Sequence, residues 1–98
     1  MDRSVKGVHL DPSDNVVTVI RAVRSGDRVF WEDSGAEGEI QAVTAVPRFH
    51  KIAVAAISEG SPVTKYGHII GVATQTILSG AHVHTQNCRG TAVEEMDT

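Results

Sequence analysis

The sequence predicts one mostly-β domain of short strands with little helix, and three observations carry that expectation. Runs of β-branched residues recur at close spacing, and such side chains pack well on a pleated surface. Glycine-bearing turn signals punctuate those runs. Aromatic residues are few, only Phe30, Trp31, Phe49 and Tyr66, so the core must be assembled from Val, Ile, Leu and Ala. A chain of 98 residues that is 41% hydrophobic has room for one domain and not for two independent cores.

The elements follow in order. Asn15-Val16-Val17-Thr18-Val19-Ile20-Arg21-Ala22-Val23 reads as a strand ending at the turn Arg24-Ser25-Gly26-Asp27. Arg28-Val29-Phe30-Trp31 follows, then a polar loop from Glu32 to Gly38. Glu39-Ile40-Gln41-Ala42-Val43 alternates with period two, the pattern of a half-buried strand. Lys51-Ile52-Ala53-Val54-Ala55-Ala56-Ile57 fits a strand or a short buried helix by periodicity, and its length favours strand. Ile69 to Thr74 and Ala81 to His84 complete the strands, and Ser61 to Tyr66 is the one segment allowed to be helical. Residues 1–90 make the domain. The acidic tail 91–98, with Glu94, Glu95 and Asp97, is expected to be disordered. Val17, Val19, Ile52, Val54, Ile57, Val63, Ile70, Val72, Ile77 and Val83 are the expected buried positions.

A short motif repeats three times: an aliphatic residue, two residues, Gly, two residues, Val. It occurs as Val23–Gly26–Val29, Ile57–Gly60–Val63 and Ile77–Gly80–Val83. Each copy reads as a strand end, a tight turn with Gly at positive φ, and re-entry into the core. Unequal spacing excludes a solenoid and suggests one corner reused in a compact fold.

Composition excludes several function classes. A net charge of −3 with no basic cluster argues against nucleic-acid binding. No apolar run is long enough to span a bilayer, and the charged start Met1 to Lys6 lacks the apolar segment of a secretory signal. The single cysteine, Cys88, precludes an intrachain disulfide, and a cytoplasmic location is the default expectation.

Polar chemistry concentrates in His82-Val83-His84-Thr85-Gln86-Asn87. On a strand, His82 and His84 share one face, with Gln86 continuing it, while Val83 points into the core. Two imidazoles so placed can reach one divalent cation; the alternative is a solvated strand edge, since His-X-His alone is a weak motif. Asn87 either serves a ligand or ends the strand through an Asx turn. His50 and Lys51 stand at a strand mouth, where Lys51 can act as a point charge for an anion, or merely lie in solvent. Tyr66 either offers a hydroxyl to a substrate or plugs the core with its polar tip wet. Gly67 and Gly71 lack the spacing of a nucleotide loop. No Ser-His-Asp or Cys-His nucleophile can be assigned, and a lone thiol such as Cys88 is more often inert.

Taken in order, Phe49-His50-Lys51-Ile52-Ala53, Ile57-X-X-Gly60, Lys65-Tyr66-Gly67-His68-Ile69-Ile70-Gly71-Val72-Ala73, Ile77-X-X-Gly80 and His82 to Asn87 are far more specific than any one alone. They resemble the SAF-type β-clip domain of the altronate and galactarate dehydratase family, which includes the small subunit of sulfolactate sulfo-lyase. The resemblance covers roughly residues 5–90 and implies a compact β-clip fold. His50 and Lys51 match a Gly-His-Lys segment, Tyr66, Gly67 and Gly71 match Lys-Tyr-Gly and Ile-Gly segments, and His82, His84 and Asn87 match a His-Val-His-X-His-Asn segment. The galactarate branch lacks that last segment, which favours the altronate-like and sulfolactate-like branches. Two departures stand out: Phe49 replaces a usual Gly, and Gln86 replaces a usual His.

The resemblance implies a part in hexuronate metabolism, as a small subunit or detached domain of a metal-dependent sugar-acid dehydratase that is inactive alone. His82 and His84 would hold a divalent metal, iron or manganese. His50 and Lys51 would be catalytic, and Tyr66 and Asn87 would bind the anionic sugar acid. A large dehydratase-like subunit is the implied partner, with self-association when it is absent. Sulfite elimination from sulfolactate, and a non-catalytic module that docks a partner or carbohydrate, are the rival readings.

Overall fold

The computed structural model describes residues 3–32 and 37–90. Among these are nine strands and no helix: β1 (Ser4–Val8), β2 (Val16–Val19), β3 (Arg28–Trp31), β4 (Gly38–Gln41), β5 (Lys51–Ala53), β6 (Pro62–Lys65), β7 (His68–Ala73), β8 (His82–Val83) and β9 (Cys88–Gly90). The mostly-β expectation therefore holds. No helix of the described residues is long and apolar enough to cross a membrane. The expected disorder of 91–98 lies outside the described residues.

Six strands form one curled sheet in the order β4-β3-β1-β2-β5-β8, and β6-β7-β9 form a second. Every pairing is antiparallel except β1 with β3. β2 and β5 occupy a special place. Val17, Val19 and Ile52 enter a core with Val5, Val23, Val29, Trp31, Ala42 and Val46. Val16 and Ala53, on those same two strands, enter another with Ile57, Val63, Ala73, Ile77 and Val83. Alternation of side chains along a strand lets one two-stranded wall serve both. The two cores are thus not independent, as the length of the chain requires.

The repeated corner appears four times rather than three. Turns close from Asp27 N–H to Arg24 O at 2.9 Å, His50 N–H to Pro47 O at 3.0 Å, Ser61 N–H to Ser58 O at 2.9 Å and Ala81 N–H to Leu78 O at 3.0 Å. The third residue of each has positive φ: Gly26 at 95°, Phe49 at 67°, Gly60 at 85° and Gly80 at 86°. Each of these residues donates its N–H at 2.8 Å, to Ala42, Val19, Ala73 and Ala53 respectively. The corners associate in pairs, Val23 bridging Val46 and Ile57 bridging Ile77. The added copy, Val46–Phe49–Ile52, escapes the sequence pattern because Phe49 holds the place of the glycine.

Several local expectations need correction. The segment allowed to be helical is β6, whose β-branched Val63 and Thr64 pair with β7 and whose Val63 is fully buried. The long strands expected over 15–23 and 51–57 stop at Val19 and Ala53, because the chain leaves the ladder to make corners. β1 and β9 lay in segments without a strong strand signal. Seven of the ten expected core positions are buried, but Val54, Ile70 and Val72 are half-buried. In β7 the inward positions belong to Gly71 and Ala73, which turns Val72 to the other face, while Ile70, at the register shift against β6, packs half-buried against the edge of the second core.

Candidate functional site

The pairing of β5 with β8 builds the site. Its register sets Lys51 opposite Val83 and Ile52 opposite His82. Carried one step further, the same register brings His50 opposite His84. Both strands leave a corner just before pairing, so rigid turns at Phe49 and Gly80 deliver the histidines together. Val83 is fully buried between two half-exposed imidazoles, as alternation requires.

Three rings converge. His50 Nδ1 lies 2.9 Å from His82 Nε2, and the His50 ring stacks on His84 with centroids 4.2 Å apart. The His82 and His84 rings are nearly parallel, 11° between planes and 5.7 Å between centroids. One nitrogen from each of His50, His82 and His84 falls within 4.8 Å of the others. His50, grouped with Lys51 from the sequence, is therefore the third member of the histidine cluster.

Electrostatics favour the neutral form of His82 and His84. Burial lowers the proton affinity of His82 below its ordinary 6.5, and the charges of His50, His84 and Lys51 push it the same way. Burial, then His50 and Lys51, lower that of His84. A neutral imidazole is the form that ligates a metal. Three imidazole nitrogens suit Fe(II) or another borderline divalent ion, and they suit Mn(II), which prefers oxygen, less well. With three protein donors among the described residues, positions would remain for further ligands.

Beside the cluster is a cleft of about 230 Å³ lined by Lys51, Ile70, His84, Thr85, Cys88 and Gly90. Burial lowers the proton affinity of Lys51 below 10.5, the Lys65 charge adds to that, and Cys88 opposes it. His84 belongs to both cleft and cluster, so an anion at Lys51 would lie next to the imidazoles.

The Asn87 amide is committed to the backbone of the histidine segment. Its Oδ1 accepts the His84 N–H at 3.0 Å and its Nδ2 donates to His82 O at 2.9 Å. His84 O in turn accepts the N–H of Asn87 at 3.0 Å and of Cys88 at 2.8 Å. This is the Asx-type closure, and it locks the turn that carries Thr85 and Gln86. Tyr66 is placed elsewhere, at the tip of the β6–β7 hairpin with φ 55°. There the carboxylate of buried Asp14 accepts the N–H of Tyr66 and of Gly67, each at 2.8 Å.

Sequence reasoning missed Asp14, whereas Thr85, within the polar segment, and Cys88, weighed as a neighbour of the histidines, do line the cleft with His84. Asp14-Asn15 carries a turn signal, but the hairpin it holds is more than fifty residues away. It also missed that His9 is buried, its Nε2 3.0 Å from Asp14 O and its ring 5.6 Å from Trp31.

Comparison with known proteins places the chain. Residues 5–91 match the family described as the altronate/galactarate dehydratase SAF domain. Altronate dehydratase of Bacillus subtilis is 34% identical over 84% of this chain, and that of Escherichia coli is 36% identical over 86%. The chain spans only 16% of the length of either protein. The (2R)-sulfolactate sulfo-lyase subunit alpha of Chromohalobacter salexigens is 33% identical over 88% of this chain, which covers 95% of that subunit. With the matched segment running through both corner pairs and the histidine cluster, this chain belongs to the SAF domain family of altronate and galactarate dehydratases.

Proposed function

We propose that the chain is the small component of a cytoplasmic, metal-dependent lyase acting on a sugar acid, working with a large dehydratase-like subunit. The observation that carries this reading is the histidine cluster opening beside the Lys51 cleft. His50, His82 and His84 would hold a divalent ion, iron being the better match to three imidazoles. A bound ion would supply a Lewis acid for the carboxylate end of the substrate and for the charge that develops there.

The reaction removes water from a 2,3-dihydroxy acid. The proton on carbon 2 leaves to a base, the hydroxyl on carbon 3 departs with a proton as water, and the enol becomes a 2-keto-3-deoxy acid. Lys51 suits two tasks in it. As a cation it holds the substrate carboxylate, and its lowered proton affinity makes it a better proton carrier near neutrality than an exposed lysine. Asn87 positions both histidines through the backbone, and Tyr66 at its hairpin tip would meet substrate only where the large subunit closes over it. The remaining catalytic groups belong to that subunit, and the small chain alone is inactive.

A second reading keeps the site and changes the leaving group to sulfite. The near-complete coverage of a sulfo-lyase subunit alpha favours it.

The test is coexpression with a large dehydratase-like subunit from the same organism, followed by metal analysis and assays on sugar acids and sulfolactate. His82→Ala and His84→Ala should each lower kcat/KM at least about 100-fold in the assembled enzyme, with circular dichroism unchanged. Turnover at the unmodified rate would leave the histidines as a solvated strand edge and the chain as a docking module.

A further inference from the structure

We infer that Gln86 is a positioning residue for His82, setting its tautomer and orientation through a side-chain amide that turns over when the histidine takes up a ligand. The second half of this inference rests on reading the histidines as metal ligands, while the first half rests on geometry alone.

Both ring nitrogens of His82 are engaged. Nε2 lies 2.9 Å from His50 Nδ1, and Nδ1 lies 3.2 Å from Gln86 Nε2. A neutral imidazole has one donor and one acceptor. Gln86 Nε2–H donates, so His82 Nδ1 accepts and the His82 proton sits on Nε2. That N–H then donates to His50 Nδ1, and the His50 proton is left on its own Nε2. The amide thus polarises a chain of two histidines in one direction.

Ligation through His82 Nε2 requires that nitrogen to be bare. The proton then sits on Nδ1, which becomes a donor and needs an acceptor. Histidines that bind metals usually give their second N–H to a carbonyl or carboxylate, which fixes the ring and raises its basicity. Glutamine carries an acceptor and a donor on one carbon. A half-turn about its last bond presents Oε1 in place of Nε2 and leaves the backbone untouched. Leucine could serve neither state, and glutamate only the ligated one.

The fold holds Gln86 at this post. The Asn87 amide and the two N–H groups converging on His84 O close the turn over Thr85 and Gln86, folding position 86 back onto His82. Gln86 is exposed, so replacing it leaves both cores intact.

The experiment uses the full 98-residue chain, with Zn²⁺ as the probe. Long-range proton–nitrogen correlation spectra report the His82 tautomer, and calorimetry reports Zn²⁺ affinity. The unmodified chain should hold His82 with its proton on Nε2 and move it to Nδ1 when zinc is added. Gln86→Leu should show mixed tautomers before zinc and bind it about 10-fold more weakly. Gln86→Glu should recover or exceed the original affinity. The same His82 tautomer in the unmodified chain and in Gln86→Leu overturns the inference. Undiminished zinc affinity in Gln86→Leu overturns its second half. If the unmodified chain does not bind zinc, the metal-binding reading of the cluster falls, and the tautomer comparison alone decides whether Gln86 orients His82.

Discussion

The two corner pairs are built alike but are not equally relaxed. The pair at Ile57 and Ile77 uses glycine at both positions of positive φ, whereas the pair at Val23 and Val46 uses Gly26 and Phe49. An L-residue with a side chain held there costs roughly 1–2 kcal/mol, a cost glycine does not carry. Phe49 is 61% exposed, so core packing does not repay it, although the Arg48 guanidinium lies 4.4 Å over its ring. The next residue is His50. The least relaxed corner of the four is therefore one of the two that deliver the histidine cluster, in keeping with the tendency of backbone strain to gather at functional sites.

The comparison can be broken at the glycines first. A Cβ added at Gly80 would sit 2.3 Å from Gln41 O, whereas at Gly26 or Gly60 it would meet nothing within 4 Å. Gly80→Ala should cost about 3 kcal/mol or more in urea unfolding, from a backbone clash added to left-handed strain. Gly26→Ala and Gly60→Ala should cost about 1–2 kcal/mol each, the conformational term alone. Equal losses at all three would show that contact at Gly80 adds nothing to conformation.

Phe49→Gly sharpens the contrast from the other side. Relief of the strain is offset by greater freedom of the unfolded chain, leaving a net gain of up to about 1 kcal/mol. A loss of stability would mean that the aromatic ring and Arg48 contribute more than the backbone conformation costs.

Acid should separate the same regions by pH, with the smallest effects. The folded state lowers the proton affinities of His82 and His84 below 6.5. Around and below that value the unfolded chain binds more protons than the folded one, so stability falls as pH drops through 6.5. At the first corner, the Arg24 N–H and Arg3 hold the Asp27 carboxylate below its ordinary 3.8. Its contribution is present above 3.8 and is lost only as pH falls further. Denaturant midpoints measured across pH should show two steps. His82→Ala should flatten the upper one and leave the lower unchanged.

How much of this was legible follows from what each signal depends on. The three glycine corners and the shared face of His82 and His84 are written in local spacing, and local spacing reveals them. The fourth corner is hidden because its defining residue is Phe49. Membership of His50 in the cluster depends on the β5–β8 register, a pairing between segments some thirty residues apart. Period-two alternation points Val83 inward but says nothing of what lies across the strand. Ser61 to Tyr66 looked ambiguous because a segment of four to six residues is too short to display either period well. Its partner, β7, decided the matter.

The wall made by β2 and β5 bears on how the molecule comes apart. Neither half can melt while the other keeps its core, because removing one face of the wall unsupports the strands that supply the other. Half-folded chains should therefore be scarce, and fluorescence of Trp31 in one half should change together with far-ultraviolet circular dichroism of the whole. A ligand gripped at the β5–β8 seam would then protect distant amides from hydrogen exchange, as though it had been bound at both ends of the domain.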